Sequence, residues 1–104
     1  MDYIISKEDL YNFCKEACEK YGYSKEYAAI TADVLTQTDM MGTYSHGTKN
    51  LINYIRKTIA GGIRVNAEIK VVKEGPAWAL LDGDAGIGMV TAYYGVEHAI
   101  KKAA

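Results

Sequence analysis

Residues 43–47 read Thr-Tyr-Ser-His-Gly and contain the residue types that acid–base chemistry requires. The imidazole of His46 is able to give or take a proton near neutral pH, and the hydroxyl of Ser45 directly precedes it. Gly47 follows, and a residue without a side chain lets a ligand approach the backbone. The next residues predict a helix that begins near His46. Because free N–H groups at a helix N-terminus attract anions, this segment fits a substrate that carries a carboxylate.

The same residues also allow structural interpretations. Ser45 would cap the helix while His46 bonds to a nearby carbonyl group, since capping serines are common. His46, Asn50 and Tyr54 recur every four residues, which places them on one side of a helix with Lys49 beside them. That side is either the wall of a pocket or an ordinary solvated face, and periodicity alone does not separate the two.

A second glycine-rich segment, Asp-Gly-Asp-Ala-Gly-Ile-Gly, occupies residues 82–88 and precedes a helical pattern. A dinucleotide-binding loop requires Gly-x-Gly-x-x-Gly, but Thr91 stands three positions after Gly88, where the last glycine is needed. The segment is therefore not a Rossmann loop. A tight turn that leads into a helix explains the glycines better than phosphate binding does.

The remaining cysteines and histidine do not form a recognisable metal or redox motif. Cys14 and Cys18 lie four residues apart on a predicted helix, and we expect both to be buried thiols, as free cysteines usually are. We expect His98 to be a surface or packing residue and the chain to hold no structural metal. Unpaired thiols fit a reducing cytoplasm.

The spacing of apolar residues predicts three helices before any strand. Ser6 and Ser24 are the expected N-caps of the first two helices, with a capping box from Ser6 to Asp9, and Gly22 and Gly42 are their expected ends. The two glycines at residues 61–62 are the expected end of the third helix. The expected apolar faces are, in order, Leu10, Phe13, Cys14, Ala17, Cys18 and Tyr21; Tyr27, Ile30, Val34, Thr38 and Met41; and Leu51, Ile55 and Ile59.

The pattern changes near residue 67. Residues 69–72 and 77–81 predict a short antiparallel hairpin with a turn at 74–76, and a fourth helix follows. Its expected apolar face is Met89, Ala92, Tyr93, Val96 and Ile100. We therefore expect an α/β chain, α+β within this segment, with a helical part at residues 1–66 and a hairpin plus helix at 67–104. Because the last residues contain no helix-ending Gly or Pro, we expect a partial protein.

Length and charge limit the function classes. A chain of 104 residues is long enough for a single domain, and its 49% apolar and 24% charged residues are typical of a folded, water-soluble protein. A net charge of −1 leaves no excess of cations for phosphates or an anionic bilayer, so we expect no nucleic-acid or membrane partner. The acidic, polar N-terminus has no export signal and favours the cytoplasm.

One ordered set of motifs runs through nearly the whole chain. Its members are Ala32-Asp33-Val34-Leu35, Asp39, Ser45-His46-Gly47, Leu51, Tyr54-Ile55, Gly61-Gly62-Ile63, and Ala79-Leu80-Leu81-Asp82-Gly83-Asp84 with Gly86 and Gly88. This order resembles the N-terminal part of the malate/L-lactate dehydrogenase family, which includes ureidoglycolate, sulfolactate and diketogulonate dehydrogenases and cyclic-imine reductases. The resemblance implies part of a larger, non-Rossmann fold of the L-sulfolactate dehydrogenase type.

The resemblance also implies an activity: NAD- or NADP-dependent hydride transfer to or from a small 2-hydroxy or 2-oxo acid, or a cyclic imine, in a homodimer. His46 matches the family's catalytic histidine, which protonates the carbonyl oxygen, and Ser45 matches the serine beside it in a relay that a downstream aspartate completes. That aspartate and most of the nicotinamide-binding segment lie outside these residues, although residues 67–104 would begin the cofactor-binding region. The 104 residues alone are therefore expected to be inactive.

One departure from the family affects substrate recognition. Many members carry an arginine four residues after the histidine, where this chain has Asn50, so bidentate binding of a carboxylate is lost. Lys49 is the alternative source of positive charge, and Tyr54 matches an aromatic position whose hydroxyl would bond to substrate. The substrate and the choice between NAD and NADP stay open. The alternative function is a catalytically silent helical module whose apolar faces dock on a partner chain.

Overall fold

The computed structural model describes residues 4–104, which form four α-helices and one two-stranded antiparallel hairpin. The elements are α1 (Lys7–Lys20), α2 (Lys25–Met40), α3 (Leu51–Ile59), β1 (Lys70–Gly75), β2 (Trp78–Asp82) and α4 (Gly88–Ala103). The mixed α/β architecture and the element order are as the sequence predicts. In the part of the chain described, every helix is too short or too polar to cross a bilayer.

The first two helices begin and end where the sequence signals place them. Ser6 Oγ accepts a hydrogen bond from the Asp9 amide, and Ser24 Oγ accepts one from the Tyr27 amide, each at 3.1 Å. These bonds satisfy N–H groups that have no partner within the helix. Gly22 has a φ of +103°, a conformation that glycine adopts without strain, and the chain turns there after α1.

Helix α2 lies at the centre of the core, between α1 and α4. The expected apolar face of α2 is only partly right, because α2 is covered on more than one side and small residues let its neighbours approach closely. Its buried residues are Ala28, Ile30, Thr31, Ala32, Leu35 and Thr36. Cys14 and Cys18 of α1 pack in this core, each 1% exposed and with a free thiol, which confirms the prediction of buried thiols.

The predicted apolar face of α4 is mostly wrong, although Met89 is half-buried against the core. Ile87 and Val90 are buried, and Tyr94 stacks edge-on against Tyr27 of α2 with ring centroids 6.3 Å apart. Tyr93 and Val96, which the pattern placed inside, are exposed. Because α4 carries apolar residues on several sides, periodicity does not identify the side that packs on α2 and the hairpin. In α1, Phe13 is likewise 64% exposed instead of buried.

The hairpin is longer than predicted, and its turn is Pro76-Ala77. Gly75 pairs with Trp78 next to the turn, and the pairing is irregular between residues 71 and 73. Lys102 of α4 holds this end of the hairpin, because its Nζ donates to Glu74 Oε1 at 2.9 Å and to the Gly75 carbonyl at 2.8 Å. These contacts, together with His98 Nε2 at 3.5 Å, hold the pKa of the Glu74 carboxyl below its ordinary value.

The third helix begins at Leu51, so its predicted start near His46 is wrong. Two short 3₁₀ turns, Tyr44–His46 and Thr48–Asn50, stand in place of the expected first helical turn. Leu51 is buried as predicted, whereas Ile59 is exposed. The division of the chain at residues 66 and 67 stays a prediction.

Candidate active site

His46 is exposed and ends the first 3₁₀ turn. The Ser45 hydroxyl lies 2.9 Å from His46 Nδ1, which is the one hydrogen bond that the ring makes to residues of the described segment. When Nδ1–H donates to Ser45 Oγ, Nε2 is free to meet a substrate, as a proton donor in the imidazolium and as an acceptor in the neutral ring. The pair therefore has the geometry of a serine-oriented proton donor.

The bond between Ser45 and His46 decides against the capping interpretation. Thr43 occupies the N-cap position of the first turn, and neither 3₁₀ turn has a side-chain cap. Because each turn is only three residues long, the expected helix N-terminus at His46 does not exist, and the anion argument based on it does not hold.

The prediction that His46, Asn50 and Tyr54 lie on one side of a single helix is also wrong. His46 and Asn50 belong to different 3₁₀ turns, and only Tyr54 lies on α3. The structure nevertheless brings Asn50 to Ser45, because Asn50 Nδ2 donates to the Ser45 carbonyl at 2.7 Å. Lys49 is exposed next to Asn50, and Tyr54 is half-buried against the core. Neither Lys49 nor Tyr54 hydrogen-bonds to Ser45 or His46 within residues 4–104.

Asp39, near the end of α2, is a residue of this site to which the sequence assigned no role. Its Oδ2 accepts hydrogen bonds from the Thr48 amide, at 3.3 Å, and from the Thr48 hydroxyl. A Cβ atom at Gly47 would lie 1.7 Å from Asp39 Oδ1, although Gly47 itself has an ordinary φ of −97°. The carboxylate of Asp39 therefore leaves no room for a side chain at residue 47, and the expected role of Gly47 in admitting a ligand stays a prediction.

The glycine-rich segment at 82–88 forms a turn that is stabilised by hydrogen bonds to the carboxylates of Asp82 and Asp84. Asp82 Oδ1 accepts from the Asp84 amide at 2.8 Å. Asp84 then bonds through Oδ1 to Arg64 at 2.6 Å and through Oδ2 to the Glu68 amide at 3.0 Å. The carboxylates thus take up the amides of Asp84 and Glu68 and place negative charge in the turn, which favours a tight turn over phosphate binding.

Packing explains two of the glycines in this turn. A Cβ atom at Gly83 would lie 2.6 Å from Thr91 Oγ1, and one at Gly86 would lie 2.6 Å from the Ala67 Cβ. These contacts support the interpretation of the segment as a tight turn leading into a helix.

Comparisons with known sequences agree over almost the entire chain. The family model for malate/L-lactate dehydrogenase matches residues 5–104. Malate dehydrogenase from Pyrococcus horikoshii is 40% identical over 99 residues, covering 95% of this chain and 28% of that protein. L-sulfolactate dehydrogenase from Methanocaldococcus jannaschii is 40% identical over 100 residues, covering 96% and 29%. Ureidoglycolate dehydrogenase (NAD(+)) from Escherichia coli is 35% identical over 99 residues, covering 95% and 28%.

Solved structures show the same fold. The P. horikoshii malate dehydrogenase superimposes with a TM-score of 0.92 at 38% identity, covering 99% of this chain and 31% of that one. The M. jannaschii sulfolactate dehydrogenase superimposes with a TM-score of 0.93 at 40% identity, covering 97% and 29%. The chain thus spans less than a third of the length of these relatives. On this evidence the chain belongs to the malate/L-lactate dehydrogenase family.

Proposed function

We propose that these residues are part of a nicotinamide-dependent dehydrogenase that interconverts a small 2-hydroxy acid and its 2-oxo acid. The observation that carries the proposal is the exposed imidazole of His46, which Ser45 Oγ orients through Nδ1 at 2.9 Å. Membership of a dehydrogenase family and the names of three relatives support it.

His46 acts as the acid–base group in this proposal. A bound nicotinamide cofactor supplies or accepts the hydride. During reduction, the imidazolium form of His46 gives its Nε2 proton to the carbonyl oxygen of the 2-oxo acid, and during oxidation Nε2 of the neutral ring takes the proton of the hydroxyl group. In both forms Nδ1–H donates to the Ser45 hydroxyl oxygen, which leaves Nε2 as the atom that faces the substrate. The aspartate that the family resemblance places behind the serine lies outside the 104 residues.

Substrate recognition falls to the polar groups that follow His46. Lys49 is exposed and supplies a positive charge for the substrate carboxylate in place of the missing arginine. Asn50 gives one N–H bond to the Ser45 carbonyl and keeps a second N–H and its Oδ1 for the substrate. Tyr54 contributes a hydroxyl from α3.

The cofactor, NAD or NADP, binds mostly through residues outside this segment in the proposed enzyme, and residues 67–104 begin the cofactor-binding region. The carboxylates of the 82–88 turn argue against diphosphate binding there, and the name of the E. coli relative supports NAD. The proposed enzyme is a cytoplasmic homodimer, and the 104 residues alone are inactive because they lack most of the cofactor contacts.

Turnover of 2-oxo acids by the complete natural chain tests this function. Oxidation of NADH and NADPH is followed at 340 nm with oxaloacetate, pyruvate, sulfopyruvate and a cyclic imine carboxylate. We expect turnover of at least one 2-oxo acid and none by the 104-residue segment. A complete chain that binds neither cofactor and reduces none of these compounds would contradict the proposal. That result would favour the interaction module, with the exposed Phe13, Ile52 and Ile59 as its docking face.

A further inference from the structure

Two side chains from outside the first 3₁₀ turn hold the backbone on both sides of His46. Before the histidine, the Ser45 carbonyl accepts a hydrogen bond from Asn50 Nδ2 at 2.7 Å. After it, the Thr48 amide and hydroxyl both donate to Asp39 Oδ2. The backbone on both sides of the imidazole is therefore held by contacts that the imidazole itself does not make.

Asp39 is the better anchored of the two. It is the penultimate residue of α2, the helix with the largest number of fully buried side chains. The bonds from Thr48 to Asp39 therefore attach the second 3₁₀ turn to the core. Gly47 is buried against the carboxylate so closely that even a methyl group would overlap it. Asn50, in contrast, belongs to the same segment as the Ser45 carbonyl that it contacts.

We propose that Asp39 is a positioning residue for His46: it fixes Thr48 and, through the backbone, the direction of the imidazole. The inference rests on the proposed function, in which His46 transfers a proton. Proton transfer requires heavy atoms within about 2.6–3.2 Å, and a misplacement of about 1 Å can lower the rate roughly 100-fold. Loss of Asp39 therefore harms the reaction without removing any group that touches the substrate.

Steady-state kinetics of the complete natural chain provide the first test. We expect Asp39→Ala to lower kcat by about 10- to 100-fold with a much smaller change in KM. Asp39→Asn recovers most of the activity, because its amide oxygen has the same shape and still accepts from Thr48. Asp33→Ala is the matched control, since Asp33 is an exposed carboxylate on the same helix, and it keeps the activity of the unmodified protein.

A double-mutant cycle separates positioning from a general structural effect. If Asp39 acts through His46, then Asp39→Ala causes no further loss of kcat/KM once His46 is replaced by Gln. Losses that multiply in the double mutant, or full activity of Asp39→Ala, would overturn the inference. Should Asp39→Ala fail to fold, Thr48→Val removes only the hydroxyl bond, and we expect a loss of roughly threefold to tenfold that also vanishes in the His46→Gln background.

Amide hydrogen exchange distinguishes failure of the inference from failure of the proposed function. We expect residues 43–50 to exchange faster in Asp39→Ala than in Asp33→Ala. Unchanged exchange would overturn the role of Asp39 whatever the activity. Faster exchange in a protein that reduces no 2-oxo acid would leave Asp39 as the anchor of the turn but would remove the reaction, and with it the positioning role.

Discussion

At the residue scale, the proposed chemistry depends on two adjacent side chains that contact each other directly. Neighbouring residues on an α-helix point in different directions, so the predicted helix start would have separated Ser45 from His46. The 3₁₀ turn instead brings Oγ to 2.9 Å from Nδ1. Residue type made the pair a candidate in the sequence but left the capping interpretation open, and the family resemblance was needed to favour a catalytic role. The role of Asp39 could not be predicted, because its contact with Thr48 crosses the end of a helix.

Replacement of Gly47 by alanine tests the close contact with Asp39. The new Cβ would lie 1.7 Å from Asp39 Oδ1, so the carboxylate or the turn must move. We expect Gly47→Ala to lower the free energy of unfolding by about 1–3 kcal/mol in a denaturant titration. Gly62→Ala is the control, since a Cβ there would be 3.5 Å from the nearest atom, in ordinary contact. Equal stability of the two variants would show that the contact does not constrain the turn.

At the scale of the elements, short-range sequence signals predict which helices and strands form, whereas tertiary contacts decide where α3 begins and which side of α4 is buried. The serine caps and the period of apolar residues predict all four helices and the hairpin. The start of α3 is missed because the bonds of Asp39 and Asn50 fix residues 44–50, and no short-range pattern contains them. The face of α4 is missed because its apolar residues surround the helix, so only packing on α2 selects the buried side.

The contact between Glu74 of the hairpin and Lys102 of α4 makes the stability of the fold depend on pH. Lys102 lowers the pKa of Glu74 in the folded protein below the ordinary 4.5. The carboxylate therefore stabilises the fold above that pH, and its contribution is lost as the pH falls through the lowered folded value. We expect Glu74→Gln to reduce the Tm near pH 7, and we expect the difference from the unmodified protein to close in strong acid.

Glu16→Gln, at an exposed position of α1, is the control for this measurement. It should change the Tm little near pH 7. A Tm difference for Glu74→Gln that stays constant from pH 7 into strong acid would contradict the ionic origin of the contact.

At the scale of the whole molecule, a small core coexists with a large apolar surface. The radius of gyration is 14.9 Å, larger than the roughly 13 Å of a compact domain of this length. Phe13, Ile52, Trp78 and Val96 are all more than half exposed. Both observations favour a segment that packs against further protein, in keeping with its coverage of about 28% of its relatives. Sequence patterns identify apolar residues but do not tell which of them this segment itself buries.

The core between α1 and α2 should protect its thiols from reagents. Burial raises the pKa of Cys14 and of Cys18 to about 11. Since the thiolate is the reactive form, we expect neither thiol to react rapidly with Ellman's reagent at pH 8 in the native protein. Both should react at once in guanidinium chloride. Rapid labelling of either native thiol would show that this core opens readily.

Replacement of His46 tests the central claim most directly, and the chain supplies its own control because His98 is the only other histidine. In the complete natural chain, kcat/KM for the best 2-oxo acid is measured for His46→Gln and His98→Gln. The account predicts a loss of about 100- to 10,000-fold for His46→Gln with cofactor binding unchanged, and activity near that of the unmodified protein for His98→Gln. Full turnover by His46→Gln would contradict it.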